Sequence, residues 1–198
     1  MSTGYVTVSS GAGPTAIEEY RVDKLVQKGS PGGIKSTGFM TLALVFHPDR
    51  QDDFQFVCEG QGDWRGQASW LVHFRQRPDR TNHMHAYNVG DEVFAVDLKG
   101  RAWITTDKFQ IVRIEADIVG PMAEIQLLSE HQAVEYGPVP FAKKNTMLWL
   151  PKNAEIYIDF RKRHYYRRHS FDHYTLFSVD SEEKPKVPVN PPPKETSE

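Results

Sequence analysis

The fold of this chain is decided by two runs of sequence, RAWITT (residues 101–106) and QIVRIEADI (residues 110–118). Both runs are rich in β-branched and aromatic residues, and apolar residues alternate with charged ones from Val112 to Ile118, which is the pattern of half-buried β-strands. The residues between the runs, Thr106-Asp107-Lys108, suit a tight turn. The middle of the chain is therefore predicted to be an antiparallel meander.

The same alternation recurs on both sides of these runs. A second tight turn is predicted at Lys99-Gly100, between two alternating runs. Further strands are predicted at residues 5–9, 17–27, 54–60, 68–76, 92–98, 123–136, 145–150, 155–160 and 165–179. The chain is therefore predicted to be mainly β, with a single antiparallel domain over residues 1–180.

One segment departs from the strand pattern. The run STGFMTLALVF (residues 36–46) places apolar side chains at helical spacing after a Ser/Thr cap, and Pro48 ends it. One short helix is predicted from Thr37 to Phe46. Residues 17–26 also admit a helix, but Tyr20 and Val22 favour a strand there.

Composition limits the class of protein. The 24 basic and 26 acidic side chains give a net charge of -2, so the overall balance does not indicate a nucleic-acid partner. Cys58 is the only cysteine, which excludes an internal disulfide and a cysteine-cluster zinc site. No run approaches the roughly 18 apolar residues of a membrane span, so none is predicted.

The two ends of the chain carry separate predictions. Residues 181–198 are rich in proline and charge, and we predict a disordered tail. The start, Met1 to Gly4, lacks the basic and apolar regions of a signal peptide. Taken literally this start predicts a cytoplasmic protein, whereas a chain separated from its leader would begin in the same way.

Residues that could support catalysis are sparse. His83 and His85 are two apart, as metal ligands on one strand face would be, but a competent site requires three or four convergent ligands. No glycine-flanked serine elbow of the form Gly-x-Ser-x-Gly is present, and Cys58 lies in an apolar strand pattern typical of a core residue. We predict no catalytic residue, no cofactor and no bound metal. A metal-dependent enzyme using His83 and His85 is kept as an alternative.

The most distinctive local composition is the run RKRHYYRRH (residues 161–169), which spans a predicted hairpin. Basic residues interleaved with aromatic ones can bind phosphates and bases. On an exposed edge strand the same residues discourage edge pairing and support cross-strand contacts. The structural interpretation is favoured, with contact to an anionic ligand or the envelope surface as the alternative, and no nucleic-acid partner is predicted.

Several blocks of this sequence carry a family resemblance. The blocks GRAWI (residues 100–104) and QIVRIEAD (residues 110–117) resemble the LolA/LolB-like group of bacterial envelope proteins, in which a Gly-x-x-Trp-Ile strand precedes a strand bearing an arginine. Over roughly residues 17 to 180 the chain is similar to an uncharacterised bacterial family that distantly resembles this group. The blocks that carry this similarity are EEYRVD (18–23), STGF (36–39), LVFHP (44–48), HFRQRPD (73–79), EYGPV (135–139), LWLP (148–151) and RRHSF (167–171).

The resemblance implies a strongly curved, incompletely closed antiparallel barrel with a helical lid, a periplasmic location and an apolar cavity that receives acyl chains. The first functional hypothesis is a periplasmic carrier of lipid acyl chains or lipoproteins, without catalysis, whose partner is a lipid or an acylated protein. The second is a sensory or structural interaction module of the cell envelope with a filled core, which binds other envelope proteins.

Candidate ligand-contacting residues follow from the carrier hypothesis. The expected lining of the apolar cavity combines helix residues with aromatic and aliphatic strand residues: Phe39, Leu42, Phe46, Trp70, Phe74, Trp103, Ile114 and Trp149. Arg163, Arg167 and Arg168 are expected to contact an anionic headgroup.

Overall fold

The computed structural model describes residues 2–9, 16–23, 34–37, 39–142 and 145–175, with side chains described from residue 42 onward. Its twelve strands are β1 (Ser2–Ser9), β2 (Ala16–Asp23), β3 (Ile34–Thr37), β4 (Phe54–Trp64), β5 (Gln67–Gln76), β6 (Ala86–Val89), β7 (Glu92–Ala95), β8 (Leu98–Thr105), β9 (Ile111–Ile118), β10 (Leu127–Phe141), β11 (Thr146–Phe160) and β12 (Arg163–Ser170). Its three 3₁₀ helices are η1 (Phe39–Phe46), η2 (Pro48–Asp53) and η3 (Ala123–Ile125).

The described strands form three antiparallel sheets. The large sheet has seven strands in the order β12-β11-β10-β9-β8-β5-β4, a small sheet has the order β3-β6-β7, and β1 pairs with β2. Within the large sheet β4 and β12 are the two edges and do not pair with each other, so the sheet is not closed. The predicted mainly β, incompletely closed antiparallel fold is confirmed.

The strand ladders contain four bulges, between Cys58 and Gly60, Trp103 and Ile104, Leu127 and Ser129, and Glu135 and Tyr136. A bulge adds an unpaired residue, bends its strand and increases the local twist. The last of these bulges lies beside Pro151, which pairs with Tyr136 inside β11. Because a bulge accommodates proline, the two strands predicted at residues 145–150 and 155–160 are one continuous strand.

Of the two predicted turns, one is confirmed and one is wrong. Residues 106–108 form the turn between β8 and β9. Lys99 and Gly100 instead lie inside β8. A Cβ atom on Gly100 would meet the Glu115 carbonyl oxygen at 2.0 Å and the Phe74 ring at 2.6 Å. Gly100 therefore permits close packing inside the sheet, which is the second common reason for glycine in a strand.

The helix predicted from Thr37 to Phe46 is a 3₁₀ helix that begins later, at Phe39, because Ser36 and Thr37 belong to β3. Leu42 and Val45 of η1 are fully buried, and the helix lies against β9 and β10. It therefore covers one face of the large sheet. The predicted tail at residues 181–198 lies outside the described residues.

The core lies between this face of the large sheet, called the inner face here, and the elements that cover it. Four residues directly opposite one another on neighbouring strands, Ala102, Ile114, Val134 and Ala154, are at most 1% exposed. Because side chains alternate along a strand, their neighbours in sequence lie on the opposite, outer face. Tyr87 of β6 packs into the same core.

Candidate functional site

The tip of the β4–β5 hairpin folds over the outer face of the large sheet. Arg65, in the hairpin turn, contacts both carboxylate oxygens of Glu135 on β10, at 2.9 and 3.3 Å. In the sheet, β10 is four places from β4, which corresponds to about 19 Å in a flat sheet with strands about 4.8 Å apart. The sheet must therefore curl toward its outer face at this end.

Arg113 of β9 connects this tip to the sheet. Its guanidinium contacts Glu135 at 3.1 Å and Glu115 at 2.6 Å. The Cζ atom of Arg113 lies 4.7 Å from the centre of the Trp64 ring, and the Cζ atom of Arg65 lies 5.0 Å from the same ring centre. Planar guanidinium groups can both stack on indole and bind carboxylates. Trp64 is thus held in place from the sheet and from the turn.

Beneath the hairpin tip lies a pocket of about 300 Å³, called the outer pocket here. Its lining combines charged, amide and aromatic residues with two alanines: Trp64, Arg65, Arg113, Ala133, Glu135, Asn153, Ala154, Glu155 and Arg168. Most of this lining can form hydrogen bonds, so the outer pocket suits a polar ligand.

A pair of exposed tyrosines continues from the outer pocket along the outer face. Tyr157 and Tyr166 lie directly opposite each other on β11 and β12, with ring centres 4.7 Å apart. They are 46% and 54% exposed. Both hydroxyls donate to Glu155, at 3.4 and 3.3 Å, and Arg168 lies 3.7 Å from the same carboxylate. Partial loss of solvent, followed by the charge of Glu155, raises the pKa of Tyr157. The phenol therefore stays a hydrogen-bond donor.

A second polar cluster lies inside the core, between the three-stranded sheet and the large sheet. The Glu130 carboxylate contacts His85 Nε2 at 2.9 Å and accepts hydrogen bonds from the Tyr87 hydroxyl and the Gln132 amide. The Gln132 amide nitrogen lies 3.3 Å from His85 Nε2. All four residues are buried. We call this set the inner polar cluster.

Electrostatics fixes the charge state of this cluster. Burial by itself raises the pKa of Glu130, but the charge of His85 and the hydrogen bonds from its three partners outweigh burial and hold that pKa below its ordinary value. Burial, followed by the charge of Glu130, raises the pKa of Tyr87 far above its ordinary value. Glu130 is therefore an ionised carboxylate that is solvated by protein groups.

The loop before β6 places His85 in the cluster. The buried Asn82 side chain donates to the Val96 carbonyl at 2.5 Å and accepts from the Met84 backbone N–H at 2.7 Å. The Val96 backbone N–H in turn donates to the His85 carbonyl at 3.0 Å. Residues 82–85 are thus fixed to the segment after β7, which directs the His85 ring inward.

The residues predicted to line an apolar cavity do not share one location. Leu42, Phe74 and Ile114 are fully buried in the core, whereas Phe46, Trp70 and Trp149 are partly buried. Trp103 lies on the outer face, because it follows the inward-facing Ala102 in β8 and packs on Trp64 with ring centres 5.6 Å apart. The side chain of Phe39 lies outside the described residues.

The three arginines expected at a headgroup also separate. Arg163 and Arg167 pair with Phe160 and Ile156, which point to the inner face, whereas Arg168 pairs with Glu155 on the outer face. The three arginines are expected to contact one headgroup, but side chains alternate along β12, which places these arginines on both faces of the strand.

The two histidines of the metal hypothesis do not converge. His83 is exposed and His85 is buried in the inner polar cluster. Among the residues that the structure describes, no group of three or more His, Cys, Asp or Glu side chains could hold a metal ion. Cys58, expected in the core, is exposed next to the β4 bulge, so that expectation is wrong.

No protein family, curated protein or solved structure matches this chain. Its candidate site is therefore assigned from its own geometry. Within the described part of the chain, none of the helices has both the length and the apolar character needed to cross a membrane.

Proposed function

We propose that this chain is a non-catalytic interaction module with a filled core, which binds its partner on the outer face of the large sheet. The observation that carries this proposal is the packing of the inner face. Leu42, Phe74 and Ile114, which a carrier would expose to an acyl chain, are at most 1% exposed within a continuous apolar cluster. Interiors packed in this way leave little room for a ligand.

The outer face supplies the surface that such a module requires. It carries the outer pocket, the exposed tyrosine pair and a set of ion pairs that hold them in place. Exposed aromatic and arginine side chains are enriched where proteins bind partners. The other role, a periplasmic carrier of acyl chains, is implied by the family resemblance and stays a prediction.

The absence of catalysis in this proposal is supported by the burial of the inner polar cluster. Its His85 and Glu130 pair resembles an acid–base pair, but each side chain is 2% exposed. A reacting group would have to come within hydrogen-bond distance of one of these side chains. The contact between His85 and Glu130 joins the loop that precedes β6 of the three-stranded sheet to the large sheet.

Measuring whether the protein holds a lipid distinguishes the interaction module from the acyl-chain carrier. Native mass spectrometry of protein purified from bacterial envelopes should give the mass of the unliganded chain, and titration with a dansylated fatty acid should give no saturable fluorescence increase. A fatty-acid-binding protein titrated in parallel is the positive control that shows the dye can report an apolar site. A lipid mass, or saturable dye binding by the unmodified protein, would return the chain to the carrier role.

A further inference from the structure

The outer pocket and the tyrosine pair form one continuous surface, because they share Glu155. This carboxylate lines the outer pocket and accepts hydrogen bonds from both tyrosine hydroxyls. Tyr157 lies two strand residues, or about 7 Å, from Glu155 on the same face. We call the combined surface the outer groove. It is long enough for an extended ligand to contact the pocket and the tyrosines together.

The charges of the outer groove are balanced at short range. Arg65 and Arg113 both contact Glu135. Arg113 also contacts Glu115, and Arg168 lies beside Glu155, so three arginines lie against three carboxylates. Next to the groove, Arg101 contacts Glu59 at 2.5 Å. Each of these cations lies against a carboxylate, so the groove presents no excess charge of either sign. A nucleic acid or another polyanion would meet carboxylates as often as arginines, which favours a neutral ligand.

The chemistry of the outer groove matches polyhydroxylated ligands. Sugar rings present apolar C–H surfaces that stack on aromatic rings, and hydroxyls that donate and accept hydrogen bonds in pairs. Tyr157 and Tyr166 supply the rings, while Glu155, Asn153 and Arg168 supply planar acceptors and donors beside them. An acyl chain, in contrast, would leave these polar groups without hydrogen bonds.

From this combination we propose that the outer groove binds a neutral polysaccharide. The inference rests on the proposed interaction role and names its partner class. The groove is held in its binding geometry before the ligand arrives. The Trp64 side chain is fixed by two guanidinium groups, and both tyrosine hydroxyls are fixed by Glu155. A site that is already ordered loses less conformational entropy on binding.

The test is native affinity electrophoresis in gels that contain laminarin, xyloglucan or galactomannan, three neutral polysaccharides. Alginate serves as the anionic polysaccharide, and a single-stranded oligothymidylate serves as the nucleic-acid probe. The full chain is compared with a Tyr157→Ala/Tyr166→Ala variant and with Phe109→Ala. Phe109 is 72% exposed and lies outside the outer groove, so it controls for the loss of a surface aromatic side chain. Circular dichroism establishes that each variant is folded.

We expect at least one neutral polysaccharide to retard the full chain and the Phe109→Ala variant. Loss of the tyrosine pair should weaken that binding by about tenfold, in line with the value of aromatic contacts. A Glu155→Gln variant, which keeps the side-chain shape, should weaken binding without unfolding the protein.

Three outcomes would overturn the assignment. These are retardation by alginate or oligothymidylate alone, no retardation by any of the three neutral polysaccharides, and equal retardation of the full chain and the double tyrosine variant. None of these outcomes would restore the lipid carrier, because that role is decided by the native mass and the fatty-acid titration. Failure of the sugar proposal is therefore distinguishable from failure of the interaction role.

Discussion

His85 Nε2 lies 2.9 Å from the Glu130 carboxylate, and this contact joins the loop that precedes β6 of the three-stranded sheet to the large sheet. Both side chains are 2% exposed, and the oxygen atoms of Glu130 also accept from Tyr87 and Gln132. A buried charge is tolerated when it is paired and hydrogen-bonded in this way. The same geometry makes the stability of the protein depend on the ionisation of one carboxylate.

Acid should destabilise the protein through Glu130. Its folded-state pKa is below its ordinary value, so its contribution to the free energy of unfolding is fully present above the unfolded pKa of about 4.3 and is lost as the pH falls through the folded-state pKa. Urea unfolding at a series of pH values should show this loss. Glu130→Gln should reduce the free energy of unfolding by about 3 kcal/mol at neutral pH and flatten the acid dependence.

Glu92→Gln is the control for that series, because Glu92 is exposed in β7. It should change stability by less than about 0.5 kcal/mol and keep the acid dependence of the full chain. An unchanged acid limb in Glu130→Gln would contradict the role assigned to this carboxylate.

Arg113→Lys should loosen the curl of the hairpin tip. A lysine keeps the charge but cannot contact Glu115 and Glu135 together while stacking on Trp64. We expect a loss of about 2 kcal/mol in the free energy of unfolding, measured by urea denaturation. Arg65→Lys is the matched variant, and its cost should be below about 1 kcal/mol because the Arg65 side chain is 69% exposed and screened by solvent. An equal loss in the free energy of unfolding for both variants would contradict the role of Arg113 in connecting the hairpin tip to the sheet.

Gly100→Ala should destabilise the large sheet by about 3 kcal/mol or more, because its Cβ would lie 2.0 Å from the Glu115 carbonyl oxygen and against the Phe74 ring. Gly120→Ala is the control, since a Cβ at Gly120 meets no atom within 4 Å. Thermal unfolding followed by circular dichroism compares the two variants. A Gly100→Ala protein as stable as Gly120→Ala would show that β8 and β9 can separate without cost.

Lys162→Gly should stabilise the β11–β12 hairpin. Arg161 and Lys162 form its two-residue turn with φ values of 49° and 61°, a conformation that favours glycine or asparagine. Relief of this strain should raise the free energy of unfolding by about 1 kcal/mol, measured by urea denaturation. Lys108→Gly, in the β8–β9 turn, lacks a positive φ and should give no gain. A Lys162→Gly variant that is no more stable than the full chain would contradict this account.

Part of the candidate site was accessible from the sequence. Once Arg161-Lys162 is taken as a two-residue turn, antiparallel pairing places Tyr157 opposite Tyr166 and Glu155 opposite Arg168, as the structure has them. The composition of residues 161–169 is distinctive by itself, whereas the tyrosine pair follows only when the register of the hairpin is extended to β11.

The rest of the outer pocket had no local signal. Arg65 and Glu135 are 70 residues apart in the chain, and their contact arises because the bulged β4–β5 hairpin curls over three other strands. Likewise, β6 was not predicted, since its four residues carry too short a pattern for alternation to be recognised.

The sequence by itself determined the antiparallel strands, the turn at residues 106–108 and the alternation of apolar and polar side chains, because each depends on neighbours a few residues away. Only the tertiary structure decided which face of the large sheet is filled and which is left open to solvent. That choice depends on the curl of the sheet and on the elements that cover its inner face, η1 and the β6 region, which contribute Leu42, Val45 and Tyr87 to the core. Burial of those side chains fills the inner face and leaves the outer pocket and the tyrosine pair exposed.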